Sequence, residues 1–187
     1  MAGALEMYRR SVEGFGQRVL AVGSDDWDRP TPCSDWSVRD LVNHLVSEEL
    51  WAPPLFEGRT IAEVGDRFEG DLLGADPQGA WKAAAAPALD AATKDVLDRT
   101  VHLSFGDVPG REYIGQLTAD PGIHAWDLAR GTGGDERLDP ELVEFVHAFL
   151  APQVEAWQSA GVFAPPVEVP AGADIQTKLL AMTGRRS

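Results

Sequence analysis

Residues 37–51, SVRDLVNHLVSEELW, combine a helix start signal with an almost continuous apolar stripe. Ser37 and Asp40 form a near capping box, in which a hydroxyl and an acid satisfy backbone N–H groups of the first turn. The apolar positions that follow make a stripe wider than a half-exposed helix needs: Val38, Leu41, Val42, Leu45, Val46 and Leu50. This stretch predicts a central helix to about Trp51, and Pro53-Pro54 are expected to end it.

Helical spacing of apolar residues predicts three further main helices around this one. They are expected over residues 3–22, over the alanine-rich residues 78–100 with a kink at Pro87, and from Glu112 to Arg130. Pro121 interrupts the middle of the last of these, and Gly131, Gly133 and Gly134 provide left-handed stop positions after it.

Shorter elements complete the prediction. Short helices are expected over residues 60–68 and 174–182, and a longer fifth helix from Pro140 to about Ser159 with Asp139 as its cap. Alternating apolar residues at 101–105, followed by Val108-Pro109-Gly110 in the order of a type II turn, predict a small hairpin or an extended crossover. The pattern indicates an all-α, up-and-down four-helix bundle with short extra helices and a β-hairpin, formed by one domain over residues 1–187.

Composition excludes several classes of partner. Sixteen Lys and Arg against 30 Asp and Glu give a formal charge of −14, which opposes binding to nucleic-acid phosphates or anionic lipid. No run approaches the roughly 20 apolar residues of a membrane span. Cys33 is the single cysteine, so no internal disulfide is expected and a cytoplasmic location is the simplest interpretation. The remaining partner class is a small-molecule substrate. The sequence allows either a monomer or a homodimer.

Asp120 and His124 are the first candidates for chemistry. They lie four positions apart in a helical segment, so their side chains share a face and are close enough to chelate one ion. A solvated Asp and a His bonded to a carbonyl would give the same spacing. His44 lies on the central helix, where an imidazole must be hydrogen-bonded or metal-bound to offset burial. By itself, His44 would equally fit a satisfied core histidine.

Two stretches of this chain carry a family resemblance: TPCSDWSVRDLVNH at residues 31–44 and IHAWDLARGTG at residues 123–133. They resemble paired signatures of the metal-binding proteins related to mycothiol-dependent maleylpyruvate isomerase, a group within the DinB/YfiT-like four-helix bundles. Helix order, the hairpin and the ending LLAMTGR at residues 179–185 also look like the actinobacterial branch.

The resemblance implies one metal ion held by a His on the second helix and by an acid and a His four apart on a later helix. His44, Asp120 and His124 match those positions. It also implies a low-molecular-weight thiol such as mycothiol as cosubstrate. Two imidazoles and one carboxylate favour zinc as the divalent ion, with nickel or another ion as the alternative. The isomerase relatives carry an additional C-terminal domain, so the resemblance does not imply isomerase activity for a chain expected to form one bundle.

Pro121 and Gly122 depart from a regular ligand helix. If the helix restarts with Pro121 at its first position, Asp120 becomes its cap and bonds the backbone with one oxygen. Glu48, one turn beyond His44, is then an alternative or additional ligand. Asp127 could orient an imidazole, although a salt link to Arg39 or Arg130 is the favoured role.

The remaining candidates are assigned to structural roles. Cys33 could approach the site, but a small buried filler is favoured. The tryptophans Trp36, Trp51 and Trp126 could line a pocket mouth but are expected chiefly in the core. His102 and His147 have no partners at chelating spacing and are expected at the surface.

Three functions remain open. Two imidazoles and a carboxylate leave a position free for a ligand, which is the pattern of catalytic zinc sites. The leading hypothesis is a metal-dependent thiol transferase or isomerase that acts on a small electrophile. The alternatives are a hydrolase that uses a bound water and a non-enzymatic, metal-bound binding or regulatory module.

Overall fold

The computed structural model describes residues 3–187, and the chain divides into two compact units, Met1–Asp135 and Glu136–Ser187. The helices of the first unit are α1 (Ala4–Ala21), α2 (Val38–Phe56), α3 (Ile61–Val64), α4 (Pro77–Ala91) and α5 (Gly110–Thr132). It also contains a 3₁₀ turn (Lys94–Asp98) and the antiparallel pair β1 (Thr100–Leu103) and β2 (Gly106–Pro109). The second unit contains α6 (Pro140–Leu150), α7 (Val154–Ser159) and α8 (Ile175–Met182). One domain over residues 1–187 stays a prediction.

A four-helix bundle fills the first unit, and its fold class is as predicted. Both α1 and α2 pack against α4 and α5, so α1 and α2 stand diagonally across the bundle. The apolar stripes of these helices meet in a core that includes Phe15, Leu41, Leu45, Ile114 and Leu117, each at most 2% exposed. No helix within residues 3–187 is long and apolar enough to cross a membrane.

The start of α2 is confirmed and its predicted end is wrong. Ser37 and Asp40 form the full capping box. The helix continues through Pro53 and Pro54 to Phe56. The fixed φ of proline is compatible with a helix, but each of these residues lacks the N–H that would donate to the carbonyl four residues earlier. Leu55 and Phe56, 2% and 3% exposed, bury apolar surface just beyond the prolines and hold the final turn in place.

The helix α5 runs without a break through Pro121, so a restart at that residue is wrong. Asp120 is therefore an interior helix residue and not a cap. Pro121 has no N–H for the preceding turn. Near the carbonyl that this missing N–H leaves without its helix partner, a second helix contributes a hydrogen bond: the Ser11 hydroxyl of α1 donates to the Thr118 carbonyl at 2.7 Å. Gly133, at φ 76°, ends the helix as predicted.

Other boundaries also differ from prediction, and the short helix expected over residues 60–68 covers only Ile61–Val64. The third main helix ends at Ala91, and the 3₁₀ turn that follows brings the Val96 carbonyl against Gly110, where a Cβ atom would lie 1.9 Å from that oxygen. The hairpin turn lies at residues 104–105, and Pro109-Gly110 joins β2 to α5. The predicted fifth helix is two helices, α6 and α7, because Pro152 lies between them.

Candidate metal centre

Three predicted residues converge between α2 and α5. His44 Nε2 lies 3.0 Å from Asp120 Oδ2, and His124 Nε2 lies 3.3 Å from Asp120 Oδ1. One ligand atom from each residue lies within 4.8 Å of the other two. We call His44, Asp120 and His124 the first triad. Because α5 is continuous, the four-residue spacing places Asp120 and His124 on one face, and the packing of α2 on α5 supplies His44.

The donor set of the first triad fits a divalent ion such as zinc. Bonds of about 2.0–2.2 Å to nitrogen and oxygen, at tetrahedral angles, place such donor atoms roughly 3.3–3.5 Å apart. The separations of 3.0 and 3.3 Å from the Asp120 oxygens are close to this value. About 30% of the His44 and Asp120 side chains is exposed, so the triad is open to small molecules on one side.

Asp127 orients His124 from the other side of the imidazole. Its Oδ2 lies 2.8 Å from His124 Nδ1, and the Asp127 side chain is fully buried. A proton on Nδ1 donates to this carboxylate and leaves the Nε2 lone pair pointing at the first triad. This contact fits the orienting role that the sequence allowed for Asp127. Arg39 pairs with Asp71.

Cys33 also reaches His124. Its Sγ lies 3.6 Å from His124 Nδ1 and 3.4 Å from Asp127 Oδ2. The thiol is half-buried, so it is not the enclosed filler favoured from sequence. Cys33, His124 and Asp127 form a second group whose ligand atoms lie within 4.8 Å of one another, and we call it the second triad.

A tight loop before α2 places Cys33 and Trp36 at this site. Its backbone closes through hydrogen bonds from Thr31 N–H to the Trp36 carbonyl at 3.0 Å and from Trp36 N–H to the Cys33 carbonyl at 3.1 Å. Asp35, at φ 67°, takes the left-handed conformation that this turn requires. The loop rests directly on α5, since a Cβ atom at Gly131 would lie 3.3 Å from atoms of Pro30, Thr31 and Val38.

Trp36 forms an aromatic wall over the two imidazoles. Its ring centroid lies 4.9 Å from that of His44 and 5.9 Å from that of His124. Among the tryptophans named as pocket candidates, Trp36 is at the triad. Trp126 is a core residue beneath Arg130, and Trp51 packs edge-to-face on Phe68.

Charges within the first triad perturb one another strongly. Burial disfavours protonated His44, but the Asp120 carboxylate outweighs it and raises the pKa of His44. Burial likewise works against protonated His124, yet hydrogen bonds to Asp120 and Asp127 hold its pKa well above the usual value. Burial also opposes ionisation of Asp120, but the two histidines outweigh it and lower its pKa. Without a cation, the triad therefore attracts protons.

Two further acids of α2 lie near the triad. Burial and the negative charge of Asp120 raise the pKa of Glu48 to about 7, although His44 and His124 act in the opposite direction. Glu48 is not part of the group of ligand atoms that meet at the first triad. Both acids were candidate ligands from the sequence. In the structure, Asp120 lies between the two histidines and Glu48 does not.

Glu49 is a buried acid that sequence reasoning missed. It is fully buried, its Oε2 accepts a hydrogen bond from the Tyr8 hydroxyl of α1, and its Oε1 has no partner among the described residues. Burial raises the pKa of Glu49 to about 8, against the opposing effect of the Tyr8 hydrogen bond. The spacing of Leu45, Glu49 and Ala52 along the buried stripe of α2 was the available signal.

The two remaining histidines lie elsewhere. His102 on β1 pairs with Asp107 on β2 at 2.7 Å and is partly exposed. His147 is a half-buried residue of α6. Neither belongs to a group of three ligand residues within residues 3–187.

Comparisons with known proteins agree with this architecture. The family model described as the mycothiol maleylpyruvate isomerase N-terminal domain matches residues 8–129. Two proteins of Mycobacterium tuberculosis, from strains CDC 1551 and H37Rv and described as uncharacterized, are each 36% identical over 146 residues, which covers 74% of this chain and 72% of the relative.

Two solved structures are similar in fold. They are a mycothiol-dependent maleylpyruvate isomerase, with a TM-score of 0.64 at 16% identity, and a point mutant of such an enzyme, with 0.65 at 15%. Each match covers 84% of this chain and 71% of the other.

Proposed function

The chain belongs to the mycothiol maleylpyruvate isomerase N-terminal domain family, and from this premise we propose that it binds one divalent metal ion through His44, Asp120 and His124. The proposed activity is a thiol transfer or isomerisation, in which a low-molecular-weight thiol such as mycothiol reacts with a small electrophile. Zinc is the ion that best suits two imidazoles and a carboxylate, and nickel is a further candidate.

The convergence of the first triad is the observation that carries this proposal. Its three donors come from two helices, one ligand atom of each lies within 4.8 Å of the other two, and part of the site is exposed. A structural zinc site is normally closed by four protein ligands, whereas three ligands and an exposed side are typical of sites that bind a reactant.

A bound divalent cation would supply Lewis acidity that favours the thiolate form of a thiol at neutral pH. The protein's own contribution is to keep its donors in place. Asp127 accepts the Nδ1 proton of His124 and so fixes the ring orientation and the free Nε2 lone pair. Asp120, whose pKa is lowered, stays ionised and retains both oxygens as acceptors at neutral pH.

Glu48 is the group proposed to take up the proton that the thiol releases. With a pKa near 7 it is close to the value at which a carboxylate exchanges protons most effectively at neutral pH. In the addition step, the sulfur would form a bond to one carbon of a C=C double bond as the π bond breaks, and the S–H proton would pass to Glu48. The electron pair of the broken π bond would stay on the neighbouring carbon as a carbanion. In a transfer, Glu48 would return the proton to that carbanion; in an isomerisation, the carbanion would expel the thiolate, the double bond would form again, and the proton would return to the sulfur.

Trp36 is proposed to limit the size of the electrophile and to exclude water. Its ring covers both imidazoles and presents a flat apolar face beside the exposed side of the triad. Together with the half-exposed His44 and Asp120, this wall suits a small, planar, unsaturated substrate better than a macromolecule.

Metal analysis of the purified chain tests the first part of the proposal. We expect close to one divalent ion per chain, and its loss in His44→Ala and in His124→Ala when both are made in a Cys33→Ser background, which removes the thiol beside His124 as an alternative ligand. His102→Ala is the matched control, since His102 also pairs with an aspartate but has no third ligand. Full metal content in the two triad variants would overturn the assignment.

Activity assays of the metal-loaded protein test the second part. Turnover of small electrophiles, maleylpyruvate among them, is expected only when a low-molecular-weight thiol is added. Turnover without thiol would instead support the hydrolase, and metal binding without any turnover would support a binding or regulatory module.

A further inference from the structure

His124 is shared by two groups of ligand residues that use opposite edges of its ring. Nε2 faces Asp120 of the first triad, and Nδ1 faces Cys33 and Asp127 of the second triad. The function proposed above assigns the first group to metal binding and leaves Cys33 without a role. The second group contains a thiol, an imidazole and a carboxylate, which are the three types of side chain that bind zinc in proteins.

We propose that Cys33, His124 and Asp127 form a second cation site, selective for a thiophilic divalent ion such as Zn²⁺ or Cd²⁺. The site goes beyond the proposed thiol reaction and does not depend on it. Thiolate ligands favour soft ions over Mg²⁺ or Ca²⁺, so the second triad differs in selectivity from the first, which contains only nitrogen and oxygen donors.

The donor separations support this assignment. Tetrahedral bonds of about 2.3 Å to sulfur and about 2.0–2.2 Å to nitrogen and oxygen place sulfur roughly 3.5–3.6 Å from the other donors. Cys33 Sγ lies 3.6 Å from His124 Nδ1 and 3.4 Å from Asp127 Oδ2. The 2.8 Å separation of Nδ1 from Oδ2 is that of a hydrogen bond, and it must open by about half an ångström when an ion replaces the proton.

Proton accounting links the two sites. A neutral imidazole has one lone pair and one proton, so His124 offers a donor atom to one triad at a time. When an ion binds the second triad, the Nδ1 proton moves to Nε2, where Asp120 accepts it, and the Cys33 thiol proton leaves to solvent. The two triads therefore take an ion alternately, and a thiophilic ion would draw His124 away from the first triad.

The surroundings of the thiol allow an ion to enter. Cys33 is half-buried in the loop that precedes α2, not enclosed in the bundle, while His124 and Asp127 are buried beneath it. Asp127 is fully buried, lies at hydrogen-bond distance from His124 and accepts from Cys33, and an ion bound by the second triad would replace the protons of these two contacts.

Cadmium titration of the full chain tests the second site. Cd²⁺ bound to a thiolate gives an ultraviolet charge-transfer absorption, and Cys33 is the single cysteine, so any such signal comes from it. We expect saturation near one equivalent in wild type, no signal in Cys33→Ser, and an apparent Kd at least tenfold weaker in Asp127→Asn. His44→Ala, which disables the first triad alone, should keep the full signal.

Three results of this titration would overturn the proposal. They are no thiolate signal in folded wild type, equal affinity in Asp127→Asn, and loss of the signal in His44→Ala.

Iodoacetamide labelling of wild-type Cys33 avoids the risk that a variant misfolds. One equivalent of Cd²⁺ should slow labelling at least tenfold in the folded chain and much less in urea, whereas equal protection in both states would indicate a lone thiol.

Discussion

His44 Nε2 and Asp120 Oδ2 lie 3.0 Å apart, although 76 positions separate the two residues in the chain. The contact joins α2 to α5 at the level of His124, so one carboxylate lies between two imidazoles. In the absence of a cation, this arrangement attracts protons to the same atoms that a metal ion would occupy. Proton and metal binding at the first triad should therefore compete.

Asp120 and Glu48 should differ in their importance for metal binding. Asp120 lies between both histidines, whereas Glu48 lies outside the group of converging ligand atoms. Asp120→Asn is expected to weaken metal binding at least about tenfold, or roughly 1.4 kcal/mol. Glu48→Gln is expected to keep the affinity within about threefold while thiol-dependent turnover falls. Competition with a chelator measures both affinities. A larger loss of affinity in Glu48→Gln than in Asp120→Asn would indicate that Glu48, and not Asp120, is the ligand.

Metal affinity at the first triad should fall with decreasing pH, and the fall should begin above pH 6.5. The Asp120 carboxylate outweighs burial and raises the pKa of His44, and that of His124 is raised too, so the metal-free site takes up protons early. Each displaced proton contributes about a tenfold loss of affinity per pH unit. Titrations from pH 8 to 5.5 measure this dependence.

The variant Asp120→Asn provides the comparison for this pH dependence. It removes the charge that raises both histidine pKa values, so the residual affinity should decline at a lower pH than in wild type. An affinity that stays constant down to pH 6 in wild type would contradict the expected competition.

Asp127 should support metal binding without touching the ion of the first triad. Asp127→Asn replaces the acceptor for the Nδ1 proton with an amide that can donate instead, which favours the wrong tautomer of His124. Loss of such a partner typically weakens metal binding about 10–100-fold. Asp107→Asn is the matched control, because Asp107 accepts from the exposed His102 in the same way. Calorimetry should find the effect in the first variant alone.

Glu49 should make the fold less stable as pH rises. Its pKa is near 4.5 when unfolded and about 8 in the folded chain, where burial favours the protonated form. The folded state therefore binds more protons between these values, and the unfolding free energy should fall by up to about 1.4 kcal/mol per pH unit across that window. Below pH 4.5 and above pH 8 this contribution is constant.

Glu49→Gln isolates this effect, because glutamine keeps the shape and an acceptor for the Tyr8 hydroxyl. As pH rises from 5 to 8, the unfolding free energy of wild type should fall relative to that of Glu49→Gln. Glu13→Gln, an exposed position on α1, is the control and should show no such shift. Urea denaturation with a chelator present measures all three proteins, and parallel pH profiles for wild type and Glu49→Gln would contradict an elevated pKa.

Periodicity and capping rules identified much of this protein from its sequence. The capping box at Ser37, the apolar stripe of α2, the hairpin and the four-residue spacing of Asp120 and His124 are local features, and local hydrogen bonding and side-chain direction determine them. Pro152 interrupts a helix that the apolar pattern had continued, whereas Pro53, Pro54 and Pro121 lie within helices. A proline's local effect is the same at each position, and buried neighbours decide whether the helix survives it.

Contacts between distant segments settled what spacing left open. His44, Glu48, Glu49 and Asp120 are all acids or histidines on apolar-patterned helices, and the sequence contains no rule for which of them meet. The packing of α2 on α5 brings His44 to Asp120. The Tyr8 side chain of α1 reaches Glu49 of α2 across the bundle. The loop at residues 31–36 likewise places Cys33 beside His124 across 91 positions. Such pairings arise from side chains meeting across a shared core, so they depend on how helices stack and not on the sequence of any single helix.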